Sequence, residues 1–325
     1  MANMAPAQTN AGLVECRDCA DAMADEFDYI RWLRQRIPND ARVPIGIGDD
    51  AAALRLTPGL ETLVSTDMLM DGIDFRLAET DARMVGRKAL AVNLSDIAAM
   101  AGEPVAAVIS VALPITGGRR LGEDLLEGML PLAEEFHTAL VGGDTNSWDG
   151  PLVLSLAVVG EAARPVTRAG ARPGDWLLLT GPVGGSILGH HLRFVPRVRE
   201  ARRLAEEVAI HAMVDVSDGL AADLWHLCIE SGCGAVVRAQ SIPLAPGTFK
   251  APGDLSPLQH GLFDGEDFEL VLAVDEAAGR RLLAEQPVPG IKLVHIGECV
   301  ESGLWIELKG ERLPLESRGF VHQLE

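Results

Sequence analysis

The stretch from Ala89 to Gly102 (ALAVNLSDIAAMAG) constrains this chain more than any other. Leu90, Leu94, Ile97 and Ala101 recur at the i, i+4, i+7 spacing of a helix face turned to a core. Gly102 and then Pro104 supply the expected stop. The opposite arc (Ala89, Asn93, Asp96, Met100) is hardly more polar, and Asp96 is the only charged residue of the segment. A helix apolar nearly all round is buried, and a carboxylate is almost never fully buried without a partner. No Lys or Arg lies within one helical turn of Asp96. Its partner must come from elsewhere in the chain or be a cation that is not protein. A solvated Asp at the mouth of a cleft, or an Asp that accepts backbone amides, is an equally open reading at this point.

The chain has 325 residues, enough for two domains that each bury a core. A hydrophobic fraction of 48% and 34 glycines suit a compact α/β-type protein. Tyr29 is the only tyrosine and the net charge is -19, which argues against a nucleic-acid partner. An acidic chain that binds phosphates needs local Arg or Lys, helix N-termini or divalent cations. No apolar run is long enough to span a bilayer, and no basic region followed by an apolar one opens the chain. The expectation is therefore a cytoplasmic protein without a membrane partner. Five cysteines do not look like a disulfide framework. Cys16 and Cys19 form a lone C-x-x-C in an expected flexible tail, residues 1–25. Cys228, Cys233 and Cys299 sit in apolar contexts and read as buried small hydrophobes.

Helical spacing is expected over Glu26–Arg36 and Gly122–Phe136, and strands over Thr62–Met70, Pro104–Pro114 and Pro151–Val159. Gly142-Gly143 reads as a turn after a strand, leading into Asp144-Thr145. In the second half, Trp176–Thr180, Ala212–Asp215, Leu270–Val274, Lys292–Cys299 and Leu304–Leu308 read as strands. Gly181–Ser186 reads as a turn leading into a helix, Leu220–Ile229 as a helix, and His190-His191 as surface.

Six acids stand at the ends or faces of apolar elements: Asp50, Asp67, Asp96, Asp144, Asp215 and Asp218. Each alone has a bland reading as a turn residue or an N-cap, although that does not account for Asp215 inside an apolar strand. Together, each flanked by Gly, Ser, Thr or Asn, they suggest one shared cavity. Like charges gathered there raise one another's pKa values unless cations compensate. Several Mg²⁺ ions on a polyphosphate would satisfy both sides, and the hydroxyls of Ser65 and Thr66 beside Asp67 suit a hard cation. No Ser-His-Asp grouping and no H-E-x-x-H spacing is visible. The set favours phosphoryl transfer run by electrostatics over hydrolysis run by a nucleophile.

In these segments the chain resembles the thiamine-monophosphate kinase family, in the superfamily of aminoimidazole ribonucleotide synthetase and selenophosphate synthetase. The resemblance rests on Gly46–Asp50, Ser65–Asp67, Lys88–Pro104, Gly142–Thr145, Arg168 with Pro173–Asp175, Asp215–Gly219 and Gly265–Glu269. It implies an N-terminal α+β domain, residues 26–162, whose mixed sheet pairs with a second subunit in a dimeric barrel. A C-terminal α/β domain, residues 163–325, with a sheet flanked by helices, would follow, with the active site between the two. It implies Mg²⁺ ligands at Asp50, Ser65, Thr66, Asp67, Asp96, Asp144, Asp215 and Asp218. It implies ATP contacts from Gly143, Asp144, Arg168 and Ser217, and catalytic roles for Asp144, Arg168 and Asp218. Glu266 would lie at the thiamine end of the acceptor site.

Two positions depart from the family pattern. Asp74 stands where the family usually has His, and Ser317 where it usually has Trp, both in the acceptor site. The implied activity is Mg²⁺-dependent transfer from ATP to thiamine monophosphate. A related ATP-using enzyme with another acceptor, and a nucleotide-binding regulator without turnover, are the competing readings.

Overall fold

The computed structural model describes residues 26–251 and 253–321, so the tail and Cys16 and Cys19 lie outside the described residues. The chain divides after Arg36. Before that point, α1 (Glu26–Arg36) carries Arg34 and Arg36 in its last turn, where cations complement the helix C-terminus.

From Ile37 onward the elements run β1 (Glu61–Met70), α2 (Ala82–Ala99), β2 (Glu103–Pro114), α3 (Gly118–Glu135), β3 (Ala139–Trp148) and β4 (Val153–Ala162). These build a four-stranded sheet in the order β1-β4-β2-β3. β4 pairs antiparallel with β1 and β2, while β2 and β3 are parallel. On β1 the alternation is clear. Leu63 and Leu69 are buried, Ser65 and Asp67 are half-buried beside them, and Val64 (72% exposed) and Met68 (60%) point the other way.

Helix α2 begins earlier than its apolar stripe indicates, because the Asp81 carboxylate caps it by accepting the Arg83 N–H at 2.9 Å. It ends at Ala99. Ala101 takes a left-handed φ of 54°, and the Gly102 N–H returns to Ile97 O at 2.9 Å, so Ala101 is not on the helix face. Val85, Leu90, Leu94 and Ile97 are buried against β1, β4 and α3. Full burial of each such side chain contributes about 1.5–3 kcal/mol. Helices α2 and α3 cross at a pair of glycines: a Cβ on Gly86 would stand 2.0 Å from Leu125 O, and one on Gly128 would stand 1.8 Å from Arg83 O.

The Gly142-Gly143 turn is a correction: β3 runs unbroken from Ala139 to Trp148. Glycine serves close approach there, since a Cβ on Gly143 would meet Ile109 O of β2 at 1.8 Å.

The second half contributes β5 (Trp176–Leu179), α4 (Val198–Glu207), β6 (Ala212–Asp215), α5 (Leu220–Ser231), β7 (Gly234–Arg238) and α6 (Pro257–Phe263). It continues with β8 (Leu270–Val274), α7 (Glu276–Glu285), β9 (Val294–Val300), β10 (Leu304–Leu308) and β11 (Glu311–Pro314). Their seven strands lie in the order β11-β10-β7-β9-β5-β8-β6, with β7 and β10 parallel and the other neighbours antiparallel. Leu177 and Leu179 join the core cluster containing Leu220, Leu224 and Leu227 of α5. Leu178, facing the other way, is equally buried, so both faces of β5 are covered. Cys228, Cys233 and Cys299 are free and buried in this half.

Gly181–Ser186 leads not into a helix but into two 3₁₀ turns, Ser186–Leu188 and His190–Leu192, separated by Gly189 at φ 115°. His191 is buried rather than on the surface, its Nδ1 lying 2.8 Å from Ser186 O. Among the described residues, no helix is long and apolar enough to cross a membrane. The fold is a mixed α/β architecture on two open sheets.

Candidate active site

Strand β1, helix α2 and the end of β6 bring three carboxylates together. Asp67 shares the face of β1 on which Ser65 lies, and the Ser65 hydroxyl donates to Asp96 on α2. One residue earlier on α2, buried Ser95 donates from Oγ to Asp215 Oδ2 at 2.6 Å. Asp215 is 2% exposed. Asp67 Oδ2 is buried and has no hydrogen-bond partner among the described residues. Burial above all, and then Asp96, Asp215 and Asp74, push the Asp67 carboxyl up to about 7. Burial likewise raises Asp96 and Asp215, and Arg168 is the cation that draws both back down. None of the three forms an ion pair among the described residues. Buried acids with an orphaned oxygen and only hydroxyls for company fit a hard divalent cation. Among the described residues, no three such groups already stand around a single point as a finished cage.

Asp67 also lines a cavity of about 500 Å³ that extends away from this cluster. Asp74, Ser217, Asp218 and Glu266 contribute polar wall, and Met68, Ile73, Ile187, Phe268 and Phe320 contribute apolar wall. Among the described residues, Lys88 of α2 is the one cation in the wall, and it is 1% exposed. Its Nζ donates to Asp74 O at 2.7 Å and pairs with the Glu266 carboxylate. The Asp74 side chain turns back to accept the Met70 N–H at 2.7 Å.

The opposite wall is held by backbone bonds. Glu266 N–H donates to Ser217 O at 2.7 Å, Phe268 N–H to Val216 O at 2.8 Å and Phe320 N–H to Asp218 O at 2.9 Å. Glu266 (φ 65°) and Phe268 (φ 51°) are left-handed there, a conformation non-glycine residues hold only where surroundings impose it. Next to this wall Asp267 accepts the Gly184 N–H at both oxygens, 2.9 and 2.8 Å. Burial nonetheless pushes its carboxyl up to about 8.

Family models described as AIR synthase related protein, N-terminal domain, and AIR synthase related protein, C-terminal domain, match residues 48–162 and 172–305. Thiamine-monophosphate kinase of Rhodopirellula baltica is 37% identical over 310 residues, covering 91% of this chain and 97% of the relative. The chain belongs to the thiamine-monophosphate kinase family. The crystal structure of thiamine-monophosphate kinase from Stenotrophomonas maltophilia K279a matches with a TM-score of 0.75 and 31% identity, over 87% of this chain and 95% of that one. A structure of AaThiL complexed with AMPPCP and TMP matches with a TM-score of 0.71 and 27% identity, over 91% and 96%.

Of the residues that the thiamine-monophosphate kinase pattern marks, Ser65, Asp67, Asp96 and Asp215 share the buried cluster. Asp74, Ser217, Asp218 and Glu266 share the cavity with Asp67. Arg168 is exposed but acts electrostatically on Asp96 and Asp215. The other positions are exposed or turned to the other face of a strand. Asp50 is exposed, with its N–H bonded to Asp49 Oδ1 at 2.9 Å, and Gly143 and Asp144 are exposed on β3. The Thr66 side chain lies on the other face of β1 and donates to Leu156 O at 2.8 Å, so its hydroxyl is not with the cluster. Ser317 is exposed and outside the cavity wall, whose aromatics are Phe268 and Phe320. Lys88 entered the sequence reading only as the first residue of the Lys88–Pro104 match and was given no role there, because the apolar segment opens just after it. Asp223 went unread, although its i, i+3, i+4, i+7 spacing with Leu220, Leu224 and Leu227 places a carboxylate on the buried stripe of α5 and could have found it.

Proposed function

We propose that this protein is an ATP-dependent kinase that transfers the γ-phosphoryl group of ATP to thiamine monophosphate, giving thiamine diphosphate and ADP. One observation carries the reading: Asp67 belongs both to the buried carboxylate cluster and to the wall of the cavity. Groups suited to a metal-bound polyphosphate thus adjoin a partly apolar space of about 500 Å³ suited to an organic phosphate. That space also carries excess negative charge for a cationic ring.

The acceptor is a phosphate monoester whose second pKa near 6 leaves its oxygen ionised at neutral pH. No side chain need remove a proton. The barrier is the repulsion of two anions and their alignment in line. Arg168, near Asp96 and Asp215, offsets part of the charge and contacts ATP together with Gly143, Asp144 and Ser217. Lys88 holds Glu266 and the 70–75 loop as the floor of the acceptor pocket. Asp67, Asp96, Asp215 and Asp218, with Asp50 and Asp144 joining from their exposed segments, would hold Mg²⁺, which would supply the remaining charge neutralisation.

The division near residue 162 into a nucleotide- and metal-binding part and a C-terminal part belongs to the same proposal. So do a cytoplasmic location and a homodimer. The apolar outer face of the four-stranded sheet, with Val64 (72% exposed) and Val108 (41%), supports pairing with a second copy.

Incubation with ATP, Mg²⁺ and thiamine monophosphate should yield thiamine diphosphate and ADP in equal amounts, and EDTA should stop it. Asp74 and Ser317 motivate a second reading, a different phosphorylated acceptor. ADP release with other phosphate monoesters but never with thiamine monophosphate would establish that reading instead.

A further inference from the structure

Asp223 is buried on the first turn of α5 and belongs to none of the roles above. Its Oδ2 accepts two backbone N–H groups, from Asp218 at 2.9 Å and from Gly219 at 3.0 Å. The helix thus bends a side chain back to its own start and grips the turn that precedes it. That turn is a junction. Ser217 O accepts the Glu266 N–H, and Asp218 O accepts the Phe320 N–H. Space around it is closed as well: a Cβ on Gly265 would lie 2.7 Å from Ser217 O, and one on Gly319 would lie 2.4 Å from Asp218 O. Glu266 of the polar wall and Phe320 of the aromatic wall therefore meet at one turn, two of whose amides are held by a single carboxylate oxygen.

We infer that Asp223 is a positioning residue that sets the Ser217–Asp218 turn, and through it Glu266 and Phe320, at the reaction cleft. The inference rests on the proposed kinase reading for the roles of Ser217 and Asp218. Asp223 touches neither nucleotide nor acceptor. It acts by fixing two amides, and one oxygen suffices for both.

A conservative variant separates this role from mere packing. Asp223→Asn keeps an oxygen able to accept both amides, and Asp223→Ala removes it. Displacing a reacting group by about 1 Å costs roughly 10²-fold in rate. In Asp223→Ala, kcat per folded molecule should fall by about 10²-fold while KM for ATP moves by less than about threefold. Asp223→Asn should restore most of the rate. Amide hydrogen exchange supplies a readout independent of turnover: the Asp218 and Gly219 amides should lose protection in Asp223→Ala and keep it in Asp223→Asn.

Wild-type kcat in folded Asp223→Ala, or unchanged protection of the two amides, overturns the positioning role. So does an Asn variant as slow as the Ala variant. If the wild-type protein forms no thiamine diphosphate, the kinase reading fails, and the exchange data still decide what Asp223 holds.

Discussion

Asp215 and Glu269 lie on neighbouring strand ends, joined by the Val216 N–H to Glu269 O bond of 2.8 Å, and each is 2% exposed. Glu269 is supplied from within the chain. Arg197 pairs with it through Nε at 2.9 Å and through Nη2, and Thr180 Oγ1 donates at 2.6 Å. Asp215 receives one serine hydroxyl and faces Asp96, so its carboxyl is raised by burial and by that neighbour. Burial is the same and the provision is opposite. A buried carboxylate with an internal counter-ion holds a fold together, whereas one left to its own kind is built for a counter-ion that comes and goes.

Substitution at the unsupplied acid should have the largest effect. Asp215→Asn should lower kcat by at least about 10³-fold, equivalent to about 4 kcal/mol. The same change removes a like charge, so the metal-free protein should melt no lower than wild type. A clear fall in metal-free Tm would place Asp215 with Glu269 instead.

Arg197→Met should invert that pattern. It strands Glu269 and should reduce stability by about 3 kcal/mol in denaturant titration, with kcat per folded molecule little changed. Unchanged stability would break the contrast from the other side.

Asp50 is exposed, unlike the acids of the buried cluster. Asp50→Asn should therefore cost only about tenfold, read as a higher Mg²⁺ requirement, with Tm unaltered.

The smallest effect is basic rather than acidic. His295 stacks on Trp176 at 3.8 Å, and burial, with Arg238 as the next cause, lowers its pKa to about 4. The fold favours the neutral ring. This stability is present above the ordinary value of 6.5 and is lost as pH falls toward 4. Solvent screening limits it to about 1 kcal/mol. His295→Gln should flatten acid destabilisation between pH 6.5 and 4, measured as Tm against pH.

The buried half of the site is legible in the sequence because helix and strand periodicity assign faces. Asp96 stands out in α2 as a charge in an apolar segment, and Asp215 in β6 for the same reason. Their partners are not legible. Ser95 to Asp215 and Lys88 to Glu266 join residues 120 and 178 positions apart, and no local spacing encodes such pairings. Gly142-Gly143 misleads because glycine marks turns and close strand contacts alike, and only the neighbouring Ile109 decides between them. Asp50 and Asp144 match the family pattern yet stand exposed, since their segments carry no apolar stripe to fix them.

Helix α2 has a mechanical consequence. Within four turns it carries Arg87, bound to Leu192 O at 3.2 Å and Phe194 O at 2.6 Å, together with Lys88 and Ser95, bound to Glu266 and Asp215. Of these three ties one reaches the second sheet itself, at Asp215, and two reach the loops beside it, so together they resist the two sheets working as jaws. Traffic of nucleotide and acceptor then falls to the rim, where Ile187 and Leu188 stand exposed between Gly185 and Gly189. Turnover would be paced by a short piece of rim instead of by the bending of a whole molecule.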